Sequence, residues 1–325
     1  MPELTMVEAL RSALAAEMLR DERIVLLGLD IGRLGGVFRV TDGLLDRFGP
    51  DRVIDMPLAE GSIIGSSIGL AIGGLVPVPE IQFLGFTHQA MHQIGPQLGR
   101  YRYRSRGRFS CPVTIRAPFG GGVRTPEFHP DAIEAQFAQQ PGIKIVCPAN
   151  PYDAKGLLLK AIRDPDPVLF LEPQRLYRSE KMEVPEDDYD IPFGRSRLVR
   201  EGTDVVLVAW SAAVELSLRA AEQLQAEGIS AAVLDLRTLV PLDVEGLVSA
   251  VSKVGRAVVV HEAPITAGFG AEIVATLQQE AFQLLDAPVH RVAAWDTPYP
   301  PGALESHFLP SVARVMDGVR LTIAF

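Results

Sequence analysis

The apolar positions along this chain change period repeatedly, and the changes predict helices alternating with short strands. Thr5 to Leu19 carries apolar residues at helical spacing, with Thr5 placed as a cap and Glu8 three residues later. Ile24 to Leu29 is an unbroken apolar run of strand length. The glycine-rich stretch Gly32 to Gly43 follows as a loop, without the spacing of a nucleotide fingerprint. A helix begins at Glu60 and leads to a strand, Val76 to Phe83. Its two prolines place it near a sheet edge or limit its paired portion. Thr87 to Tyr103 reads as a helix, Val113 to Pro118 as a strand, and Phe119 to Val123 as a mobile glycine-rich loop. Ile143 to Val146, a helix over Tyr152 to Ile162, and Val168 to Glu172 continue the alternation, which argues for a parallel sheet with helices on its faces.

Tyr177 to Gly194 breaks the pattern. It is charged, holds two prolines and runs through Glu186, Asp187 and Asp188, so it reads as a linker. The alternation then restarts, with strands expected at Val205 to Trp210, Ala231 to Leu236, Ala257 to His261 and Val289 to Ala293. Helices are expected over Ala213 to Glu227, from near Asp243, over Ala271 to Leu285 and over Pro310 to Val319. The fold class is therefore α/β, with two doubly wound domains at residues 1–180 and 195–325. No short-period repeat appears.

Composition changes this picture little. The 325 residues suit two domains, and 47% hydrophobic with 22% charged residues is ordinary for a globular chain. A net charge of −9 argues against a general nucleic-acid binder. Cys111 and Cys147 are the only cysteines, which implies neither a disulfide framework nor a cysteine-rich zinc site. The first residues have helical rather than signal-peptide character, and no apolar run approaches the roughly 20 residues that span a bilayer. A soluble, cytoplasmic protein is expected.

The chemistry concentrates in three segments. Asp55 to Gly74 puts Glu60 at the mouth of an apolar helix, where water is scarce. A buried carboxyl can hold or pass a proton near neutrality. Taken alone, Glu60 reads better as a first-turn acid favoured by the helix dipole, since such acids are common. Glu80 to Phe86 adds an amide, Gln82, and two rings, Phe83 and Phe86, while Glu127 to Ala135 adds His129. In open parallel sheets ligands collect beyond the carboxyl ends of strands, where all three segments are expected. A carboxylate, an amide, aromatic faces and an imidazole suit a flat heteroaromatic ligand with proton movement beside it.

Weaker signals have bland readings. His88 and His92 are four apart on an expected helix, but no acidic partner completes a metal site. Arg100, Arg102, Arg104, Arg106 and Arg108 alternate with Tyr101 and Tyr103. On an acidic chain this reads as a solvated or subunit-contacting patch. His261-Glu262 reads as a subunit contact or a satisfied structural pair, and Asp296-Thr297-Pro298 as a turn.

Residues Gly35 to Glu60, Glu80 to Phe86 and Pro151 to Arg178 resemble the beta subunit of thiamine diphosphate-dependent 2-oxo acid dehydrogenases, as do Val233 to Asp243, Val258 to Ile273 and Asp296 to Pro301. The likeness runs from about Thr5 to about Val319. It implies a pyrimidine-binding domain followed by a transketolase-type C-terminal domain. It also implies oxidative decarboxylation of pyruvate or a branched-chain 2-oxo acid, with acyl transfer to a lipoyl group. Carried over residue by residue, Glu60 matches the glutamate that activates the aminopyrimidine of the cofactor. Leu58 lies beside that ring, Gln82 and Phe86 line its pocket, and His129 matches the active-site histidine. A structural K⁺ is implied on carbonyls around Val113, Thr114, Ala161 and Asp164, with Asp166.

The departures are specific. Leu29 stands where the family has a carboxylate proposed to relay protons between paired sites. Gly85 replaces a common aspartate, Pro130-Asp131-Ala132 replaces Ser-Gln-Ser, and Gln139 replaces a second histidine. The GDG motif that holds Mg²⁺ and the diphosphate is absent from the chain. The resemblance therefore implies that an alpha subunit supplies Mg²⁺ and the rest of the site, in an α2β2 heterotetramer that serves a lipoyl-bearing acyltransferase core. An acetoin-cleaving relative and a non-catalytic scaffold of the same fold stay open.

Overall fold

A computed structural model describes residues 1–325, and its strands form two open sheets and a two-stranded ribbon. The strands are β1 (Glu3–Leu4), β2 (Ile24–Gly28), β3 (Val53–Asp55), β4 (Val76–Glu80), β5 (Thr114–Phe119), β6 (Lys144–Val146) and β7 (Val168–Pro173), then β8 (Met182–Glu183), β9 (Arg197–Arg200), β10 (Val205–Ala209), β11 (Ala231–Asp235), β12 (Thr238–Val240), β13 (Ala257–Pro264) and β14 (His290–Ala294). The helices are α1 (Met6–Arg20), α2 (Leu44–Phe48), α3 (Glu60–Ile72), α4 (Tyr101–Arg104), α5 (Glu134–Ala138) and α6 (Pro151–Ile162), then α7 (Ala212–Ala226), α8 (Val244–Ser252), α9 (Gly270–Glu280), α10 (Glu305–Phe308) and α11 (Val312–Ile323).

The first sheet has the order β12-β6-β7-β5-β4-β2-β3, parallel throughout except for β12. The second has the order β14-β13-β10-β11-β9, parallel except for the edge strand β9. Central strands such as β2, β10 and β11 are buried along their whole length. Helices cover both faces, so these strands read as apolar runs rather than as alternation. Two doubly wound α/β units follow, as expected.

Local chemistry sets the elements. Thr5 and Glu8 form the capping box that starts α1, and Asn150 caps α6 with Pro151 in its first turn. The two helices pack together, Leu10, Leu14 and Met18 meeting Ala154, Leu158 and Ile162 in one core. Truncating a leucine there to alanine costs about 2–5 kcal/mol. A second core runs from Ile115 and Ala117 of β5 to Val206, Val208 and Val259 of the second sheet, so the two units share buried surface. No helix is long and apolar enough to cross a membrane.

Of the two readings of the β4 prolines the structure bears out limited pairing, while the Thr87–Tyr103 helix and the Tyr177–Gly194 linker need correcting. β4 is interior, between β2 and β5, so its prolines limit its pairing rather than place it at an edge. Val76 donates its N–H toward the β2 side and Ile81 toward β5. Pro77 and Pro79 share the β5 side, have no N–H to offer, and leave Glu80–Arg116 as the one register pair there. The helix expected over Thr87 to Tyr103 is three pieces: a 3₁₀ segment at Leu84–Ala90, a wide π-type turn at Gln93–Gly99 containing Pro96, and α4. The stretch Tyr177 to Gly194 is not a free linker. Tyr177 is buried, and β8 pairs antiparallel with β1. The sequence pattern predicts neither β3 nor β12, and β12 carries the second half of the chain back onto the first sheet.

Candidate functional site

The carboxyl ends of β3, β2 and β4 lie side by side, with Gly28 in register with Asp55 and with Glu80. Asp55 accepts from the N–H groups of Gly32 at 2.7 Å and Arg33 at 3.3 Å, which folds the loop after β2 over this end of the sheet. Five residues after β3, α3 opens with Glu60 in its first turn. The buried face of α3, Ile63, Ile64, Ser67 and Ala71, fixes the helix on the core. Glu60 is only 5% exposed, and its Oε2 has no hydrogen-bond partner. An unmet buried acceptor costs about 1–3 kcal/mol, more when charged. Nothing in the fold offsets that cost, so the oxygen is free for a donor from outside the chain.

Close approaches link Glu60 to His129. A side chain at Gly61 would come within 3.2 Å of the Gln89 carbonyl, so the first turn of α3 lies on the Leu84–Ala90 segment. On that segment any side chain at Gly85 would collide with the Phe128 carbonyl. The departure at Gly85 therefore has a local reason: the backbone of the His129 loop occupies the space an aspartate would need. Phe128 itself has φ of +76°, a strained value for a non-glycine residue.

His129 sits in an aromatic cage. Its ring centroid lies 4.6 Å from Phe83 and 5.0 Å from Phe86, both edge-on, and Phe86 lies 5.6 Å from Phe128. His129 Nδ1 is 3.2 Å from the Glu127 carbonyl, and its own carbonyl accepts from Gln174 Nε2 at 3.2 Å. Gln82 Nε2 donates at 3.4 Å to the Leu29 carbonyl and to Asp30. Thus Leu29, which lacks the family's carboxylate, still meets the pocket through its backbone. Leu58 is 68% exposed, two residues before Glu60. Glu60, Gln82, Phe86 and His129 gather at one end of the sheet, and Leu58 presents an apolar side chain at the rim. A buried unpartnered carboxyl at the same end of the sheet as the Phe83–Phe86–His129 cluster suits a flat heterocycle with a ring nitrogen. No group of three or more His, Cys, Asp or Glu side chains converges to hold a metal ion.

The remaining expected residues lie elsewhere. Asp164 pairs with Lys144 at 2.5 Å and Asp166 with Arg102 at 2.5 Å. The carbonyl of Val113 accepts from Val168, and that of Ala161 from Asp164. Thr114 is buried in β5. Both carboxylates thus already face cations of the chain, leaving mainly carbonyl oxygens for K⁺. Arg100, Arg102, Arg104, Arg106, Lys144 and Cys111 border an open groove of about 1260 Å³ that contains none of the residues around Glu60. His88 stacks on Phe128, and His92 faces Gln97.

His261 and Glu262 do not pair, because neighbours on a strand point to opposite faces. His261 is buried against Trp210, the rings 5.2 Å apart and nearly parallel, and burial holds its imidazole down to about 3, with Arg291 adding to the effect. Trp210 donates to Glu134 at 3.3 Å, and burial pushes that carboxyl up to about 7. Glu262 instead accepts from the Gly121 N–H at 3.1 Å and faces Arg175 at 3.3 Å.

Sequence reasoning also missed a fully buried charge cluster. Arg116 donates to Glu172 at 2.7 and 3.0 Å and to Glu80 at 2.7 Å, while Tyr177 donates to Glu172 at 2.5 Å. Burial raises the Glu80 carboxyl, and Arg116 opposes the rise. The available signal was a charged residue in each of three otherwise apolar strands: Glu80, Arg116 and Glu172.

Comparison with known proteins agrees with the two-unit fold. Residues 2–180 match the family model of the transketolase pyrimidine-binding domain, and residues 194–315 match that of the transketolase C-terminal domain. Over all 325 residues, and all of the relative, the chain is 50% identical to the pyruvate dehydrogenase E1 component subunit beta of Bacillus subtilis (strain 168). It is 49% identical, again over both full lengths, to the protein of the same name from Staphylococcus epidermidis (strain ATCC 12228 / FDA PCI 1200). Among solved structures, a split-gene transketolase described as an inactive beta4 tetramer superposes with a TM-score of 0.81 at 26% identity, covering 99% of each chain.

Proposed function

The chain belongs to the family of beta subunits of thiamine diphosphate-dependent 2-oxo acid dehydrogenases, and on that premise we propose that it acts on pyruvate together with an alpha subunit. The full-length relatives that carry the pyruvate dehydrogenase name support pyruvate over a branched-chain acid. The observation that carries the catalytic reading is the buried, unpartnered Oε2 of Glu60. Thiamine diphosphate, when bound, supplies the electron sink for cleavage beside a keto carbon. Glu60 holds or releases a proton at a ring nitrogen of the aminopyrimidine. Gln82 and Phe86 orient that ring, and Leu58 covers it from the rim. His129, held edge-on by Phe83 and Phe86, donates or accepts a proton next to the substrate and during acyl transfer to a lipoyl group.

The chain offers no carboxylate cluster for Mg²⁺, so the alpha subunit supplies the metal and the diphosphate contacts, in an α2β2 assembly with a lipoyl-bearing acyltransferase core and in the cytoplasm. A structural K⁺ belongs to the same reading, held by carbonyls around Val113, Thr114, Ala161 and Asp164, with Asp166. The domain boundaries that go with it are 1–180 and 195–325.

The test is reconstitution with the alpha subunit, Mg²⁺ and thiamine diphosphate, followed by turnover with pyruvate, branched-chain 2-oxo acids and acetoin. Pyruvate is expected to have the highest kcat/KM. A higher value for a branched-chain acid or acetoin overturns the substrate, and no turnover with any of them favours a scaffold.

A further inference from the structure

The segment joining β5 to His129 lies against the second sheet's unit, and its polar backbone is met from there. The Gly121 N–H donates to Glu262 Oε2 at 3.1 Å, from the end of β13. Three residues on, the Arg124 N–H donates to Glu305 Oε1 at 3.2 Å, from the start of α10. Glu305 is buried, 6% exposed, and the Glu262 side chain is 9% exposed. Each has a second partner that fixes its direction: Arg175 faces Glu262 at 3.3 Å, and Tyr299 OH donates to Glu305 at 2.7 Å. A side chain at Gly120 would run into Glu262, and one at Gly121 into the Tyr299 hydroxyl. The glycines are thus what lets this stretch lie flat on the second unit. The segment expected to be a mobile loop is fastened at two points.

The fastened stretch is also strained. Arg124 and Phe128 both have positive φ, +56° and +76°. Such conformations persist only where surrounding contacts over-determine them. Gln174 adds a third hold, on the His129 carbonyl itself. Between this loop and the second unit lies a small cleft of about 180 Å³, lined by Gly121, Pro130, Asp131, Glu262, Tyr299 and Leu309.

We infer that Glu262 and Glu305 are positioning residues through which the C-terminal unit sets the loop that carries His129. Neither touches the cage of Phe83, Phe86 and His129. They act on the backbone eight and five residues upstream, so the placement of His129 depends on how the two units meet. The catalytic consequence rests on the proposed role of His129; the mechanical one does not.

Two measurements separate these. Hydrogen exchange of the assembled protein reads the loop directly. Glu262→Ala is expected to raise exchange across residues 119–131 by about tenfold or more while the rest of the first sheet stays protected. Glu262→Gln keeps an oxygen for the Gly121 N–H and is expected to restore most of the protection. If the Gln variant exchanges as fast as the Ala variant, the Arg175 ion pair alone matters and the inference fails. Tyr299→Phe leaves the core filled but frees Glu305, and is expected to raise exchange at Arg124 and its neighbours. Unchanged exchange in both the Ala and Phe variants overturns the inference. In turnover with pyruvate, Glu262→Ala is expected to lower kcat about tenfold, with Glu262→Gln recovering it and KM little changed. Loosened exchange with unaltered kcat would show the clamp to be real but His129 not to depend on it, which refutes the coupling and not the family reading.

Discussion

Glu60 and Glu172 are the same residue type, in the same unit, both nearly excluded from water. They are treated in opposite ways. Glu172 receives two bonds from Arg116 and one from Tyr177. Glu60 has an oxygen with no partner at all. The first pattern is what a fold does with a charge it must bury: it surrounds the charge with donors. The second leaves a cost standing that only something outside the chain can remove. Burial by itself therefore distinguishes nothing, and neither does one unmet oxygen, since Glu134 and Asp235 each have one too; Glu60 differs in opening α3 beside the ends of β2, β3 and β4, where ligands collect.

The comparison breaks if Glu60 proves structural. Glu60→Gln is expected to lower turnover of the reconstituted enzyme by about 10²- to 10⁴-fold, since an amide cannot exchange the proton. Its melting temperature should stay near the wild-type value. Near-normal turnover, or a large loss of stability, would contradict the reading. The matching change on the other side is Arg116→Met, which strands two buried carboxylates. It is expected to cost about 3–5 kcal/mol of stability, read by denaturant titration. A neutral result would mean that Glu80 and Glu172 are held by less than the geometry suggests.

Smaller effects sharpen the contrast. Because Mg²⁺ and the diphosphate contacts are expected from the alpha subunit, the isolated chain should bind thiamine diphosphate about 100-fold or more weakly than the assembly does. Calorimetry with and without the alpha subunit checks this; tight magnesium-dependent binding by this chain alone would contradict the shared site. His129→Ala should slow lipoyl acylation by about 10²-fold while assembly and cofactor affinity hold. A parallel fall in affinity would instead mark His129 as a residue that pins its loop.

The smallest expected effect is on pH. Burial raises Glu134 from 4.5 to about 7 and Asp235 from 3.8 to about 7. A raised carboxyl binds its proton more tightly in the folded state. Its contribution is therefore complete below the unfolded pKa and lost as pH climbs through the folded one. Stability should fall between about pH 4 and 7 on this account. Glu134→Gln, which cannot ionise, should gain on the wild type over that interval in melting temperature. A constant difference across the interval would show that Glu134 does not titrate there.

Much of the protein was legible as a string. Helical spacing with a Thr5–Glu8 box, apolar runs of strand length and their alternation depend on local chemistry, so they gave two α/β units and most element positions. Glu60 at a helix mouth, the Gln82–Phe86 strand end and His129 could be singled out, because each follows a strand in a topology whose ligand edge is predictable. Partnership was not legible. That Glu60 lacks a donor while Glu172 receives three bonds depends chiefly on Arg116, 56 residues from Glu172, with Tyr177 five residues away adding the third. The clamp on the His129 loop joins Gly121 to Glu262, 141 residues away. Strand β12 returns to the first sheet through pairing that a three-residue run cannot announce. Sequence fixes what each residue can offer over a few neighbours, by period, cap and turn; only packing decides which offers are met, because hydrogen bonds and burial are settled between segments that the chain keeps far apart.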